Sequence, residues 1–425
     1  MTGLKQAAWT YLSDPRARAV DNSALFGRLA ADAPVLHFGP VWLVAGYDEV
    51  TRLAGDPRCT LALPPTWDEQ CARVNPAFGE VFKSFMTVQP DESHRRLRRL
   101  VARGFSARTI QALRPRVEQV VDRLFEEPIR RGHCEFVAEI GIPLPVMTTA
   151  ALLGLPEGDW RHVLRWAHSL TADLSEMTAA FQAAGDQELV PSREERERTL
   201  REVMDYIEEL VRRRSAQPGE DLVSHLARQS GEDGRLSHDE LVSMVLLIFM
   251  TGLETMTAAL ANTLLCLARN PDAWQRVVAD PSLAATAFAE GIRTVTPVPM
   301  GSRVAQAEVE LGPHLIQPGQ TVLLMWGAAN QDPRQFSEPS RYDLDRPGIG
   351  QLAFGHGPYF CLGAALSQLQ GESVVRKLTT CSPRIALAAD ELQWRDDLAF
   401  HSVRELPLDL GGSAAPRPIL AASGR

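Results

Sequence analysis

The chain has 425 residues, of which 45% are hydrophobic, and this is enough to bury one large core or two ordinary ones. The net charge of −9 argues against general nucleic-acid binding, and six scattered cysteines without a CxxC pair argue against a disulfide framework or a zinc site. Because the N-terminus lacks a basic region followed by an apolar stretch, we expect no export signal, no membrane anchor and a cytoplasmic protein.

Apolar residues recur with helical spacing along most of the chain, which predicts a mainly α fold. The three clearest helices are predicted over Pro115 to Arg131, Thr199 to Arg214 and Ser237 to Asn270. Short strands are predicted at Val35 to Val44, at Gly301 to Met325 and near the C-terminus, with an irregular stretch from Ala329 to Gly350. Without a repeat or a Gly/Ser linker, we expect a single domain over residues 1–425 with small peripheral β-sheets.

A strongly basic stretch runs from residue 94 to residue 116, in a protein whose net charge is negative. Its eight arginines, with no acidic residue among them, are Arg95, Arg96, Arg98, Arg99, Arg103, Arg108, Arg114 and Arg116. Such a run is typical of a solvated helix, of a nucleic-acid site or of a docking surface for an acidic protein.

The longest predicted helix begins at Ser237-His-Asp-Glu and ends before Pro271, which gives it a length of about 50 Å. Its only charge between Leu241 and Ala268 is Glu254, and a membrane span would have a similar composition. Because no second apolar span, signal or basic flank accompanies it, we expect this helix to cross the core of a soluble protein.

The middle of that helix reads Thr251-Gly252-Leu253-Glu254-Thr255, where a glycine, an acid and a threonine are unusual in the middle of an apolar helix. Residues that do not suit the predicted secondary structure are often found at functional sites. The structural alternative is a threonine hydroxyl that bonds back to a preceding carbonyl, with Glu254 on a solvated face.

Cys361 follows a glycine-rich turn and precedes a helix, in the run Phe354-x-x-Gly357-x-x-x-Cys361-x-Gly363. The free N–H groups and the positive dipole end of a helix N-terminus lower the pKa of a thiol and donate hydrogen bonds to its sulfur. The pattern therefore predicts a thiolate that binds a metal, against the alternative of a cysteine that is simply buried.

This spacing resembles the haem-ligand loop of the cytochrome P450 superfamily, and further motifs follow in that family's order from about Asp91 to Pro407. The resemblance implies a single large helical haem-thiolate fold with haem b as its cofactor. It also implies that Cys361 is the axial ligand of the iron, in a loop to which Phe354, Gly357 and Gly363 belong.

The resemblance assigns the motif at the centre of the helix to proton delivery during dioxygen activation. In that family the helix opens locally, and an acid and an alcohol, here Glu254 and Thr255, act as a pair. Thr251 stands where the family commonly has a smaller residue, which implies an additional hydroxyl near the oxygen site.

Cationic side chains for the two haem propionates also match the family's pattern. By this resemblance they are His94 and Arg98, four residues apart on one helix face, together with Arg303. Tyr359 stands where the family usually has a histidine, and a tyrosine donates a hydrogen bond without carrying a charge.

Glu290 and Arg293 lie three residues apart on one helix face, where they can form an ion pair. They match the family's Glu-x-x-Arg element, and Arg341 resembles the arginine that completes a triad with them. The resemblance makes these three residues structural, holding the core around the haem pocket without taking part in catalysis.

The substrate pocket is predicted to be apolar and without a fixed countercharge. Helical spacing from Thr255 and the family's pocket positions give the lining residues Leu247, Met250, Thr251, Val298, Pro299, Met300, Ala399 and Phe400. Candidates to cover the pocket are Phe78, Phe82, Phe85 and Met86. Each of these side chains is explained equally well as ordinary core.

The resemblance implies a bacterial, soluble cytochrome P450 that activates dioxygen with two electrons from NAD(P)H, delivered by separate proteins. It implies that the basic stretch lies on the cysteine side of the haem, so we expect a ferredoxin-type donor to dock at Arg95, Arg96 and Arg99. The expected reaction is oxygen insertion into a small natural-product substrate. An aromatic or terpenoid-like molecule, such as an aromatic cyclic dipeptide, is our hypothesis for that substrate.

Two other functions stay open on the sequence alone. Oxidative coupling would form a C–C or C–N bond or a ring without inserting oxygen, and a haem-binding sensor would perform no catalysis. The intact pair of Glu254 and Thr255 counts against a sensor, which needs no proton delivery, but it does not separate oxygen insertion from coupling. We expect neither nucleic acid nor a membrane as a partner.

Overall fold

The computed structural model describes residues 3–63, 67–160, 162–166, 169–170, 192–229, 236–346 and 350–411. In the N-terminal half the helices are α1 (Gly3–Ser13), α2 (Pro15–Arg18), α3 (Ser23–Asp32), α4 (Tyr47–Gly55), α5 (Trp67–Val74), α6 (Pro76–Lys83), α7 (Asp91–Ala102), α8 (Ala107–Ala112), α9 (Arg114–Arg131) and α10 (Pro143–Leu153). In the C-terminal half they are α11 (Arg193–Ala216), α12 (Leu222–Ala227), α13 (His238–Thr251), α14 (Glu254–Arg269), α15 (Pro271–Ala279), α16 (Ala284–Thr294), α17 (Trp326–Ala329) and α18 (Ala364–Cys381). The first two predicted helices are confirmed as α9 and as part of α11.

The strands are short. They are β1 (Val35–Phe38), β2 (Val41–Val44), β3 (Cys59–Thr60), β4 (His133–Glu135), β5 (Gly301–Ala305), β6 (Val309–Leu311), β7 (His314–Ile316), β8 (Thr321–Leu324), β9 (Ala386–Leu387) and β10 (Pro407–Asp409). All but β3 and β4 lie in the three regions where the sequence predicts them. Strand β2 pairs with β8 in parallel within the sheet β1-β2-β8-β5-β3, and the smaller sheets are β4-β10-β9 and β6-β7. The mainly α fold with small peripheral sheets is thereby confirmed.

The stretch predicted to be irregular begins where α17 ends. From there to residue 346 the chain forms turns and bends without a further helix or strand among the described residues. Residues 347–349 of the predicted stretch lie outside the described residues. This segment carries the chain from the five-stranded sheet back to the Cys361 loop.

The long apolar helix predicted from Ser237 to Asn270 is interrupted at its centre. Helix α13 ends at Thr251 and α14 begins at Glu254, with Leu253 at φ −89° and ψ −74° between them. The Gly252 N–H reaches the carbonyl oxygen of Ile248 at 3.3 Å, at the long end of the hydrogen-bond range. The prediction of one continuous helix is therefore wrong at this point, and the local opening that the resemblance implied is present.

Helices α13 and α14 together form the buried centre of the protein. They are long and apolar enough to cross a membrane, yet 78% of their most apolar window is buried inside the fold. A capping box between Ser237 and Glu240 fixes the start of α13. Burial on nearly all sides is what a core helix of a large protein requires, and this agrees with the prediction.

Helices α14, α16 and α18 pack closely because two glycines allow it. A Cβ on Gly291 of α16 would lie 2.7 Å from the hydroxyl oxygen of Thr263 on α14. A Cβ on Gly371 of α18 would overlap the ring of Phe288 on α16. Only glycine permits such approach, so these contacts set the distance between the three helices.

A hairpin near the C-terminus packs against the start of α14. A bridge between Trp394 and Val403 defines it, and hydrogen bonds from Arg395 N–H to the Ser402 carbonyl at 2.9 Å and from Arg404 N–H to the Gln393 carbonyl at 2.7 Å extend it. We call residues 393–404 the C-terminal hairpin. The predicted pocket residues Ala399 and Phe400 lie at its tip.

Candidate active site

The Cys361 loop is shaped by two glycines, Gly355 and Gly357, which both have a φ of 73°. A Cβ on Gly357 would lie 2.6 Å from the carbonyl oxygen of Ala54, so conformation and space both require glycine there. The Cys361 N–H donates to the carbonyl oxygen of Phe354 at 2.8 Å and closes the loop. The backbone of the cysteine is thereby fixed just ahead of α18.

The sulfur of Cys361 faces the N-terminus of α18, whose N-cap is Gly363. Burial raises the pKa of the Cys361 thiol, although hydrogen bonds from the Gly363 and Ala364 N–H groups and the charge of Arg98 act in the opposite direction. The predicted hydrogen bonds to the sulfur are therefore present. The donors lower the pKa of the thiol as the sequence predicts, and burial opposes them.

Side chains predicted to hold the haem propionates come together beside this loop. His94 of α7 stacks on Tyr359 with ring centroids 4.5 Å apart, and the guanidinium carbon of Arg303 lies 4.6 Å from the centroid of the same ring. Arg98 donates to the carbonyl oxygen of Phe360, the residue before the cysteine. We call His94, Arg98, Arg303 and Tyr359 the cationic cluster.

Tyr359 contributes its ring to this cluster as a platform for a histidine and an arginine. Its hydroxyl oxygen accepts a hydrogen bond from the Leu61 N–H at 3.3 Å, which ties the ring to the segment after β3. The hydroxyl proton stays available as a donor. A tyrosine at this position therefore both orients the histidine and the arginine and adds an uncharged donor.

The cations of the cluster lack anionic partners among the residues that the structure describes. Both ring nitrogens of His94 and the Nε of Arg303 are buried without a hydrogen-bond partner. Burial lowers the pKa of Arg303 to about 10, and burial together with the charge of Arg98 lowers the pKa of His94. Because unpaired buried donors are unfavourable, the cluster fits a bound dianion such as the two propionates of a haem.

The helix break exposes two threonine side chains. The Thr251 hydroxyl donates to the Leu247 carbonyl oxygen at 2.8 Å, and the Thr255 hydroxyl donates to the Thr251 carbonyl oxygen at 2.7 Å. Thr251 is exposed and Thr255 partly exposed, whereas the neighbouring Leu247 and Met250 are buried in the core. The hydroxyls thus bond back along the helix, as the structural alternative predicted, while their oxygens keep lone pairs for other donors.

Glu254 does not lie on a freely solvated face, which corrects the structural alternative for this residue. Its Oε2 atom accepts from Nη1 of Arg395 at 2.5 Å, and Nε of the same arginine donates to Asp397 at 2.8 Å. The three side chains are 18% to 25% exposed. Sequence reasoning missed Arg395, and the only local signal was an arginine followed by two aspartates just before the predicted pocket residues.

A buried charge network holds α16 against the irregular segment. Glu290 and Arg293 form a two-pronged ion pair with both N–O distances at 2.7 Å, and their side chains are 5% and 2% exposed. Arg346 donates from Nε to Glu290 at 3.0 Å and is 9% exposed. The predicted pairing of Glu290 with Arg293 is confirmed, and the third member of the network is Arg346.

The prediction that Arg341 completes this triad is wrong. The Arg341 side chain is 62% exposed and pairs with Glu338 at 3.2 Å. Only its backbone carbonyl joins the network, where it accepts from Arg293 at 3.3 Å and from Arg346 at 3.1 Å. The turn after Arg341 brings Arg346 back toward Glu290, and this turn was not readable from sequence spacing.

Two walls of the predicted pocket are adjacent in the structure. Ala399 and Phe400 lie on the C-terminal hairpin, and the next N–H, that of His401, donates to the Pro297 carbonyl oxygen at 2.8 Å. The predicted residues 298–300, Val298, Pro299 and Met300, follow directly in the chain. The hydrogen bond therefore joins the segment at 297–300 to the tip of the hairpin.

Other predicted lining or covering residues belong to the core. Met300 packs against the hydrophobic cluster of the N-terminal helices. Phe78, Phe85 and Met86 are buried in the main core, and Phe82 packs against it. For these five side chains the alternative of ordinary core packing describes what the structure contains.

The basic stretch differs from one arginine to the next. Arg95 pairs with Asp91, and Arg96 pairs with Glu240 at the start of α13. Arg99 is exposed on α7, and the large apolar side chain of Phe360 is 42% exposed beside the cysteine. Arg98 of the same helix donates to the Phe360 carbonyl oxygen, which places α7 beside the Cys361 loop.

Comparison with known proteins follows this geometry. The family model described as Cytochrome P450 matches residues 164–378. The 6-deoxyerythronolide B hydroxylase of Saccharopolyspora erythraea is 35% identical over 392 residues, which cover 89% of this chain and 93% of that protein. The cytochrome P450 monooxygenase PikC of Streptomyces venezuelae is 32% identical over 402 residues, covering 92% of this chain and 91% of that one.

Solved structures agree with these sequence relatives. The crystal structure of P450BioI in complex with an acyl carrier protein that carries hexadec-9Z-enoic acid superposes with a TM-score of 0.81 at 27% identity, over 92% of this chain and 98% of that chain. The chain therefore belongs to the cytochrome P450 family of haem-thiolate monooxygenases, whose cofactor is haem b.

Proposed function

We propose that this protein is a monooxygenase that oxidises a small natural-product molecule, with Cys361 as the axial ligand of haem b. The observation that carries the proposal is the Cys361 sulfur, which accepts from two backbone N–H groups beside a cationic cluster that has no counter-ion among the described residues. When bound there, haem b supplies the reductive activation of dioxygen. Phe354, Gly357 and Gly363 set the path of the chain around the ligand.

The cationic cluster would hold the haem propionates. His94, Arg98 and Arg303 supply the charged and ring N–H donors, and Tyr359 supplies an uncharged one. Because these donors come from α7, from β5 and from the Cys361 loop, a propionate bound among them joins three separate parts of the fold. The same contacts orient the cofactor relative to the helix break.

The helix break would deliver protons. Thr255 carries a hydroxyl that can pass a hydrogen bond onward, and Glu254 is the acid that exchanges protons with it. Thr251 adds a second hydroxyl one helical turn earlier, which is able to replace the first. The ion pair of Glu254 with Arg395 keeps this carboxylate at the break.

The substrate would be an apolar natural-product intermediate of moderate size. Leu247, Thr251 and Phe400 would contact it, and the described lining holds no unpaired charge that would select an ionic group. The names of the relatives support this class, since one hydroxylates 6-deoxyerythronolide B. A panel of that macrolactone and an aromatic cyclic dipeptide tests it by the shift of the Soret band on binding.

Electrons would come from NAD(P)H through a reductase and a ferredoxin in the cytoplasm. The exposed arginines of α7 and the exposed ring of Phe360 support a docking site for an acidic donor beside the cysteine. Arg96 is already paired with Glu240, so its reversal would also break an internal ion pair. Arg99 is therefore the cleanest position at which to test this face.

The variant Arg99→Glu is expected to slow haem reduction by ferredoxin about tenfold at low salt, because charge steering of the donor is lost. Stopped-flow formation of the carbon monoxide complex measures the rate. The matched control is Arg130→Glu, which makes the same charge change on α9 and should leave the rate nearly unchanged. Added salt should slow the parent protein and not the variant. Equal rates for both variants would remove this docking site.

Oxygen insertion is separated from coupling by mass analysis of product made under labelled dioxygen. We expect one retained label, because the similar proteins from Saccharopolyspora erythraea and Streptomyces venezuelae are named as a hydroxylase and a monooxygenase. An unlabelled dimer or ring-closed product would instead establish oxidative coupling. The measurement needs a substrate from the binding panel.

Thr255→Ala is expected to lower product formation at least about tenfold and to raise hydrogen peroxide release, because protons then arrive without control. Substrate binding should survive. Thr263→Ala is a matched control on α14, since its hydroxyl also bonds back four residues, to Ala259 at 2.8 Å. The double variant with Thr251→Ala shows whether the second hydroxyl rescues the first. An unchanged ratio of peroxide to product in the double variant would exclude this relay.

A further inference from the structure

Arg395 lies between Glu254 in the helix break and Phe400 at the tip of the C-terminal hairpin. It donates to Glu254 in the helix break at 2.5 Å and to Asp397 at 2.8 Å. The second carboxylate oxygen of Asp397 accepts from the Phe400 N–H at 2.7 Å, and the Arg395 guanidinium carbon lies 5.1 Å from the centroid of the Phe400 ring. One guanidinium thus contacts the acid, the turn and the ring of the hairpin tip.

We propose that Arg395 is a positioning residue that couples the place of the Glu254 carboxylate to the place of the Phe400 hairpin tip. It rests on the proposed function, in which Phe400 contacts the substrate and Glu254 handles protons. A substrate that presses on Phe400 moves the guanidinium stacked on that ring. The movement changes how Arg395 divides its hydrogen bonds between Glu254 and Asp397. Substrate binding thereby regulates when Glu254 is released from Arg395.

The charges make such a division necessary. Glu254 and Asp397 both accept hydrogen bonds from the one guanidinium of Arg395, so its donors are divided between two carboxyl groups, and Arg18 also interacts electrostatically with Asp397. Burial alone would lower the pKa of Arg395, but the charges of Asp397 and Glu254 raise it overall, so the guanidinium stays protonated. With side-chain exposures of 18% to 25%, solvent screens these contacts only in part.

Contacts other than those of the Arg395 side chain also hold the hairpin. Arg18 donates to the Asp396 carbonyl oxygen at 2.6 Å, and Arg404 pairs with the Asp396 side chain. The backbone bridge between Trp394 and Val403 also closes the hairpin, and it involves no arginine side chain. The contact from Arg395 to Glu254, made across 141 residues of chain, is therefore additional to what holds the hairpin together.

The first test reads the position of the hairpin tip without turnover. 4-Fluorophenylalanine is placed at position 400 of the haem-loaded protein, and the ¹⁹F resonance is recorded in the reduced carbon monoxide complex, which is diamagnetic. Glu254→Gln should move this resonance when Arg395 is present and leave it in place in the Arg395→Met background. No movement with Arg395, or the same movement in both backgrounds, would overturn the coupling.

The second test measures the coupling from the pocket side with 4-phenylimidazole, whose binding to the ferric haem shifts the Soret band. Glu254→Gln is expected to change its dissociation constant at least about threefold with Arg395 present, and by much less in the Arg395→Met background. Additive effects in this cycle would contradict the proposal. Arg404→Met, which removes the other ion pair of the same hairpin, is the matched control and should leave the effect of Glu254→Gln intact.

Arg395→Lys separates charge from geometry. Lysine keeps the positive charge but lacks the planar guanidinium that can donate to two carboxylates at once. The effects of Glu254→Gln on the ¹⁹F resonance and on the dissociation constant of 4-phenylimidazole should therefore both fall at least twofold. Full retention of the coupling in this variant would show that the shared fork is not what transmits it. The ¹⁹F and binding measurements use the resting or carbon monoxide-bound protein. Their outcome therefore does not depend on whether the protein inserts oxygen into a substrate.

Discussion

Cys361→Ser should abolish the red-shifted Soret band that thiolate-ligated haem shows when reduced under carbon monoxide. A serine hydroxyl at the same place keeps the loop, whose turn depends on Gly355 and Gly357. It does not supply the thiolate that gives the band its position. The ultraviolet–visible spectrum of the reduced carbon monoxide complex measures this directly.

Cys381→Ser is the matched control for this experiment. Cys381 is the last residue of α18, the helix that Cys361 precedes, and its sulfur lies 3.1 Å from the Lys377 carbonyl oxygen. The band should persist in this variant. If Cys361→Ser also keeps the band, another residue is the ligand and the proposed site is wrong.

Arg346→Ala should lower the free energy of unfolding by about 3 kcal/mol, the typical cost of removing one partner of a buried ion pair. The arginine is buried against Glu290, and it also donates to the carbonyl oxygens of Ser337, Glu338 and Arg341. The substitution therefore leaves a buried carboxylate with one cation fewer and removes a donor from three carbonyls, two of which keep another donor, the Arg341 oxygen from Arg293 and the Glu338 oxygen from the Arg341 N–H. Urea unfolding of the haem-loaded protein, followed by circular dichroism, gives the value.

Arg341→Ala is the paired control and tests the correction of the sequence-based triad. Because the Arg341 side chain is 62% exposed and meets only an exposed glutamate among the described residues, its loss should change stability by less than about 0.5 kcal/mol. Equal losses in the two variants would contradict the assignment of Arg346. A larger loss for Arg341→Ala would restore the original prediction.

The sequence predicted what depends on local spacing. Glu290 and Arg293 are three residues apart, and helical geometry alone brings them onto one face. His94 and Arg98, which are four residues apart on α7, also share one face of a helix. The glycines around Cys361 indicate a tight turn. In each case the residues concerned are close in the chain, so their spacing in the sequence is enough to predict how they are placed.

The sequence did not predict contacts that depend on how distant segments meet. Arg346 and Arg341 stand in the same irregular segment, and only the folded turn decides which one faces Glu290. The partner of Glu254 comes from 141 residues away, so no spacing could indicate Arg395. The opposing effect of burial on the pKa of Cys361 was not predicted for a related reason, since burial is a property of the whole fold.

The close contacts between α14, α16 and α18 have a consequence for the order in which the protein is assembled. Gly291 against Thr263 and Gly371 against Phe288 are contacts that the polypeptide makes by itself. The cationic cluster differs, because the buried donors of His94 and Arg303 are satisfied only when an anion arrives. We therefore expect the helical frame to form before haem binds, and haem uptake to make the flank around α7 more rigid.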